Sequence, residues 1–149
     1  IYVDASTDWG IGILINKRWA AFRLAPDWKL HLPGRDICWL ETVAVELLLY
    51  YLAELSYRNV RLLVHSDNQG TIGAFAKSRS PNVWINLALR RMYGVTNSCH
   101  INLQLEYVNT KDNLADPISR GILGSHDYRL GPLVPGIIPE EFLQFITYV

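Results

Sequence analysis

Residues 1–15 are rich in Ile, Val and Leu with uneven alternation, and they read as one extended stretch. Within it Gly10 and Gly12 mark a bulge or the close approach of another backbone. Asn16-Lys17-Arg18 supplies a hairpin turn into a second strand over 19–24, and a third short strand is predicted over 28–32, ended by Pro33-Gly34. Short turns between three strands make an antiparallel meander. The period then becomes helical. Asp36 is a fitting N-cap for a helix reaching residue 55, and at about 100° per residue Ile37, Ala44, Leu48, Leu52 and Leu55 share a narrow arc. On the opposite side Glu46 and Glu54 fall on what should be the solvent face.

Residues 61–66 (Arg-Leu-Leu-Val-His-Ser) read as a strand buried on both faces, as parallel strands usually are. A short helix over 71–77 is broken by 78–82, and helical spacing resumes over 83–95. Residues 101–108 form the fifth strand. A last helix over 116–123 would have Asp116 as N-cap and Pro117 at its first position. The order β-β-β-α-β-α-α-β-α predicts an α/β domain: a mixed five-stranded sheet, three antiparallel strands and then parallel ones, with helices on both faces. This domain takes in residues 1–124. Residues 125–149, punctuated by Gly131, Pro132, Pro135, Gly136 and Pro139, form an extension in which 140–149 adds one more helix or strand.

Composition narrows the function classes. Half of the 149 residues are apolar, which is enough for one core and excludes disorder. The most apolar region, 42–55, contains Glu46 and Glu54 and is a helix rather than a membrane span. The chain begins inside a strand and without Met, so it is expected to be cut from a longer polypeptide. Cys38 and Cys99 are far apart and outside any Cys-x-x-Cys pair, which argues against a disulfide framework or zinc site and for a reducing, intracellular setting. His31, His65, His100 and His126 lack metal-ligand spacing, and His65 is expected to be a satisfied core residue. Formal net charge is zero, so the chain lacks the global basicity of a stand-alone nucleic-acid binder.

Four acids stand where an acid needs a reason. Asp4 interrupts the opening strand, although aspartate is depleted in strand interiors. Glu41 projects from the middle of the helical apolar arc, so it faces a cation, a basic partner or a cleft, with an Arg salt bridge or a shifted helix phase as the plain alternatives. Asp67 ends a hydrophobic strand, where α/β sheets line their ligand crevice, or else it is a turn or cap residue. Asp116 is a good N-cap whatever else it does. Gathered in one cleft, the four would repel each other unless cations neutralised them, which points to a divalent-metal site.

Val3-Asp4-Ala5-Ser6, Trp39-Leu40-Glu41-Thr42-Val43-Ala44, His65-Ser66-Asp67-Asn68 and Asn113-Leu114-Ala115-Asp116-Pro117-Ile118-Ser119-Arg120-Gly121 occur in this order. Over residues 1–121 this set resembles the ribonuclease H domain of reverse-transcribing elements, with the nearest likeness to retrotransposon polyproteins, including fungal ones. The resemblance implies a ribonuclease H-like fold and an endonuclease that cleaves the RNA strand of RNA–DNA hybrids to 5′-phosphomonoesters. It also implies two Mg²⁺ ions, with Mn²⁺ able to substitute, held by Asp4, Glu41, Asp67 and Asp116, and substrate contacts from Ser6, Asn68, Gln69 and Asn113. RNA would be told from DNA through its 2′-hydroxyls and helix shape.

Two departures from that family stand out. Many members carry a His shortly before the last Asp, but residues 107–113 contain none, leaving Lys111 as a candidate substitute. Cellular relatives often carry a basic helical handle, for which residues 78–82 leave no room. Lys77, Arg79, Arg90 and Arg91 make a modest basic cluster, so a reverse-transcriptase domain of the same polypeptide is expected to hold the hybrid. An Asp-Asp-Glu transposase or integrase using Glu106 is disfavoured, because Glu106 falls in a strand and Glu41 and Asp116 would go unused. The remaining alternative is a catalytically weak or silent domain acting as a nucleic-acid clamp or structural tether.

Overall fold

The computed structural model describes residues 1–29, 33–124 and 128–149. Its elements are β1 (Tyr2–Ala5), β2 (Gly10–Ile15), β3 (Arg18–Leu24), α1 (Ile37–Glu54), β4 (Val60–Ser66), α2 (Gln69–Lys77), α3 (Val83–Cys99), β5 (Ile101–Tyr107), α4 (Asp116–Ser119), β6 (Tyr128–Arg129) and β7 (Ile146–Tyr148). The sheet is mixed. Its order is β5-β4-β1-β2-β3-β6, with β7 also paired to β3. Strands β5, β4 and β1 run parallel, and β1, β2 and β3 form an antiparallel meander.

The meander differs from the one predicted. The uneven alternation of residues 1–15 conceals a hairpin: Ser6 Oγ accepts from the Asp8 N–H and the Ser6 N–H donates to Gly10 O, so β1 and β2 are separate strands. The expected strand over 28–32 is not formed at Trp28 and Lys29, which lie in a turn, and its remaining positions fall outside the described residues. Among the described residues seven strands stand against the expected five, because residues 128–149 add β6 and β7 to the β3 edge.

The two faces of the sheet are covered by different helices. Ile11, Ile13, Ile15, Ala20 and Phe22 face α1, while Leu14, Trp19 and Ala21 pack with Ile118 of α4 on the other side. That division is the period-2 alternation of β2 and β3 made visible. Gly12 is the close approach anticipated from the sequence. A Cβ there would stand 2.7 Å from both Ala115 O and Ser119 N, so only glycine lets α4 lie directly on the sheet.

Helix α1 begins as predicted, with Asp36 Oδ1 accepting from the Trp39 N–H at 2.9 Å. Its narrow apolar arc proves too small a description. Residues 39–52 are all buried, because α1 is covered by the sheet on one side and by α3 and the C-terminal segment on the other. Glu46, expected in solvent, is 0% exposed. It meets Arg91 of α3 through two hydrogen bonds of 2.7 and 2.9 Å and takes a third from the Tyr50 hydroxyl. A second helical layer supplied what a single helix read alone could not disclose. Strand β4 is also less covered than expected, since Arg61 and Leu63 are exposed.

The C-terminal segment shares the main core. Phe142 and Phe145 are fully buried, and Phe145 packs on Trp39 with ring centres 5.0 Å apart. Arg35 lies over Trp39 and Trp84, 4.6 Å from each ring, and Glu141 bridges Arg35 and Arg91 at 3.5 and 3.1 Å. None of the described helices is long and apolar enough to cross a membrane.

Candidate metal centre

Strands β1 and β4 are parallel neighbours, so their carboxyl ends lie side by side, and β1 is where pairing changes from parallel to antiparallel. A crevice opens at such a point in α/β sheets. Asp4 is the penultimate residue of β1 and pairs with Gly12, which turns it toward α4, where Ser119 Oγ lies 2.8 Å from Asp4 Oδ2. Asp67 directly follows β4. Glu41, in the second turn of α1, reaches the same place, and its Oε1 accepts the Ala5 N–H at 3.1 Å. Carboxylate oxygens of Asp4, Glu41 and Asp67 lie within 4.8 Å of one another.

Most of the plain alternatives for these acids fail, although Asp67 does lie in the bend between β4 and α2. Glu41 is 2% exposed, its Oε1 meets the Ala5 N–H at the end of β1, and it has no basic partner among the described residues. Its Oε2 is buried without any hydrogen bond there. Asp67 is not the cap of α2; Asn68 is, through Oδ1 on the Thr71 N–H at 2.9 Å. Asp116 is not the cap of α4 either. It is the first residue of that helix, Ala115 occupies the cap position, and the helix ends at Ser119 rather than near residue 123. The turn is held instead by Asn113, whose Oδ1 accepts the Ala115 N–H and whose Nδ2 donates to Val3 O, both at 3.0 Å.

Three ionised carboxylates at this spacing repel by about 3 kcal/mol per pair at an effective dielectric constant of about 20. The protein answers by holding protons. Burial, then the charge of Asp67, raises Asp4 to about 7, against opposing pulls from hydrogen bonding with Ser119 and with Glu41; the neighbouring Asp116 carboxyl adds a smaller push in the same direction as Asp67. Burial followed by the charges of Asp4 and Asp67 pushes Glu41 well above the usual carboxylate range. Asp116 itself lies outside the mutually close three. Its side chain is 23% exposed, and Arg120 Nε sits 3.2 Å from its Oδ1.

Of the expected substrate contacts, Gln69 is exposed and lines an open groove of about 560 Å³ with Gly70, Gly73, Lys77 and Arg79. Ser6 and Asn113 are buried in hydrogen bonds that shape the crevice, and Asn68 uses its carbonyl oxygen as a cap. Arg91 does not join the basic cluster, being committed to Glu46 and Glu141. His65 stacks on Tyr2 at 4.6 Å. Two contributors went unassigned in the sequence, Ser119 and Arg120. Their spacing of three and four after Asp116 was the available signal, since such residues share one side of a helical turn. Comparisons with protein-family models, with curated proteins and with solved structures return no match.

The three close acids offer carboxylate oxygens, a hard set suited to Mg²⁺ or Mn²⁺. The buried Glu41 oxygen and the upward push that crowding and burial give Asp4 and Glu41 make the close acids a fit for a divalent cation.

Proposed function

We propose that the chain is a ribonuclease H-like domain of a reverse-transcribing polyprotein, hydrolysing the RNA strand of RNA–DNA hybrids with two divalent cations. One observation carries this reading: Glu41, buried and without a basic partner among the described residues, brings a carboxylate oxygen within 4.8 Å of those of Asp4 and Asp67 at the carboxyl ends of β1 and β4. Asp4, Glu41 and Asp67 would hold one ion, and Asp4 with Asp116 on its far side would hold the other. Bound there, the cations supply a water acidic enough to attack a phosphodiester and stabilise charge on the leaving 3′ oxygen.

The protein's own residues do the rest. The Ala5 N–H and the Ser119 hydroxyl fix one oxygen each of Glu41 and Asp4, leaving the other oxygens for the cleft. Asn113 ties the loop before α4 to β1, so Asp116 is carried on an anchored turn. Lys77 and Arg79 in the groove beside Gln69 favour a polyanion, while the neutral total charge leaves most of the grip on the hybrid to an adjoining reverse-transcriptase domain.

The test is cleavage of a labelled hybrid in Mg²⁺ or Mn²⁺ by the natural chain and by Asp67→Asn. The expected loss is at least about a hundredfold, the upper range seen when mere supports of metal ligands are removed. Equal cleavage by both proteins would sink the assignment. Hybrid binding without cleavage by either would favour the clamp.

A further inference from the structure

Asp116 differs from the other three acids in having a cation of its own. Arg120 Nε lies 3.2 Å from Oδ1 and 3.4 Å from Oδ2. The pair has ordinary helical spacing, yet α4 is only four residues long and does not depend on it. The turn is anchored by Asn113 to β1 and by Ser119 to Asp4 and to Asp116 O. Arg120 is half exposed, and within the described residues its guanidinium donates only through Nε, so it can leave Asp116 without breaking another contact. A divalent cation entering between Asp4 and Asp116 must take Asp116 from Arg120, and must do so beside a fixed positive charge.

We propose that Arg120 is a built-in competitor for the second cation, holding Asp116 until that ion arrives and making its binding weaker and later than binding at Asp4, Glu41 and Asp67. The proposal rests on the metal-centre reading above. It makes Arg120 a positioning residue that acts through Asp116. It also gives the centre an order of filling: the position among Asp4, Glu41 and Asp67, where no cation competes among the described residues, comes first, and the exchange of Arg120 for metal at Asp116 comes second. An exposed ion pair of this kind is worth up to about a fivefold change in an equilibrium, and loss of like-charge repulsion adds to it.

The experiment is a titration of the full chain with Mn²⁺, following free Mn²⁺ by its paramagnetic resonance spectrum, which counts bound ions without any cleavage. The natural chain should show a tighter and a weaker step. Arg120→Gln should tighten the weaker step about three- to tenfold and leave the tighter one in place, while Arg120→Lys, which keeps the charge, should stay near the natural value. A weaker step that is unchanged or loosened in Arg120→Gln overturns the proposal, as does a Lys variant that behaves like Gln. One bound ion in both the natural chain and Arg120→Gln removes the role of Arg120 and leaves a one-ion centre standing. No bound Mn²⁺ in the natural chain removes the centre itself.

Discussion

Two of the three glutamates of helix α1 stand five residues apart and are both withdrawn from water, Glu41 at 2% and Glu46 at 0% exposure. They are treated oppositely. Glu46 receives a bidentate guanidinium from Arg91 and a phenol from Tyr50. Glu41 receives one backbone N–H and the company of two more acids. Burying a lone carboxylate is expensive, and a protein that had no use for Glu41 could replace it as readily as it satisfied Glu46. The difference teaches how to separate a structural acid from a site acid: burial is common to both, and the partner distinguishes them. Glu46 is complete without a ligand. Glu41 has only acids and one backbone N–H around its carboxylate, the setting a cation would complete.

The largest effect should come from making Glu46 resemble Glu41. Arg91→Met leaves Glu46 buried with only Tyr50 to support it, and it also removes one arm from Glu141. Breaking a buried pair in this way costs about 3–5 kcal/mol, so chemical denaturation should show a loss of that order. Hybrid cleavage at a temperature where the variant is folded should be unaffected. A loss below about 1 kcal/mol would mean that Glu46 is no better satisfied than Glu41, and the contrast would fail.

The second effect is on pH. Asp4 holds its proton to about 7 in the folded chain, against 3.8 in its ordinary state, chiefly because of burial. A carboxyl whose folded value is raised stabilises the fold below its unfolded value, and that contribution is lost as pH rises through the folded value. A difference of about three units corresponds to at most about 4 kcal/mol. In EDTA, Asp4→Asn should therefore be more stable than the natural chain at pH 8, with the advantage shrinking as pH falls toward 4. Millimolar Mg²⁺ should restore the natural chain at pH 8 and do little for the variant. An advantage independent of pH would show that Asp4 is not protonated in the metal-free fold.

A smaller change of the same sign follows at Glu41. Glu41→Gln keeps the shape and the Ala5 contact while removing the buried charge or the proton needed to quench it, so metal-free stability should rise by about 1–3 kcal/mol. Cleavage should disappear. Stability gained together with activity lost separates Glu41 from Glu46, where the corresponding Gln substitution leaves Arg91 with Glu141 as its one remaining countercharge among the described residues and should destabilise.

How much of this could be read beforehand depends on how many layers a feature involves. The helix from Asp36 and the strand that ends at Asp67 follow from periodicity, a property of single elements, whereas the gathering of Asp4, Glu41 and Asp67 is what the family resemblance implies. Glu46 was misplaced because its burial depends on α3 and on Phe142 and Phe145, segments distant in sequence. The β1–β2 hairpin was missed because Ser6-Thr7-Asp8-Trp9 lacks the Asn-Gly or Gly-Pro punctuation of strong turn signals; a serine hydroxyl makes the turn instead. Asp116 was read as a cap from residue type alone, whereas Asn113 had already taken over the support of that turn.

The smallest effect tests how the Asp4 side of the crevice manages without a guanidinium. Ser119 Oγ lies 2.8 Å from both Asp4 Oδ2 and Asp116 O, and a hydroxyl has one proton to give. While Asp4 is protonated, it can donate to Ser119, which in turn donates to Asp116 O, and both bonds are neutral. Once a cation ionises Asp4, Ser119 must turn its proton to the carboxylate, and the bond becomes charge-assisted. Neutral bonds contribute about 1 kcal/mol and bonds to charged groups about 1.5–3 kcal/mol. Ser119→Ala should therefore cost about 1 kcal/mol in EDTA and more in Mg²⁺, so that the stabilisation conferred by the ion falls, equivalent to roughly a two- to tenfold weaker affinity. Melting curves of the two proteins with and without Mg²⁺ measure the difference directly. Equal losses in both conditions would place Ser119 with the structural hydrogen bonds of α4, and would leave Asp4 as poorly supported against its own charge as Glu41.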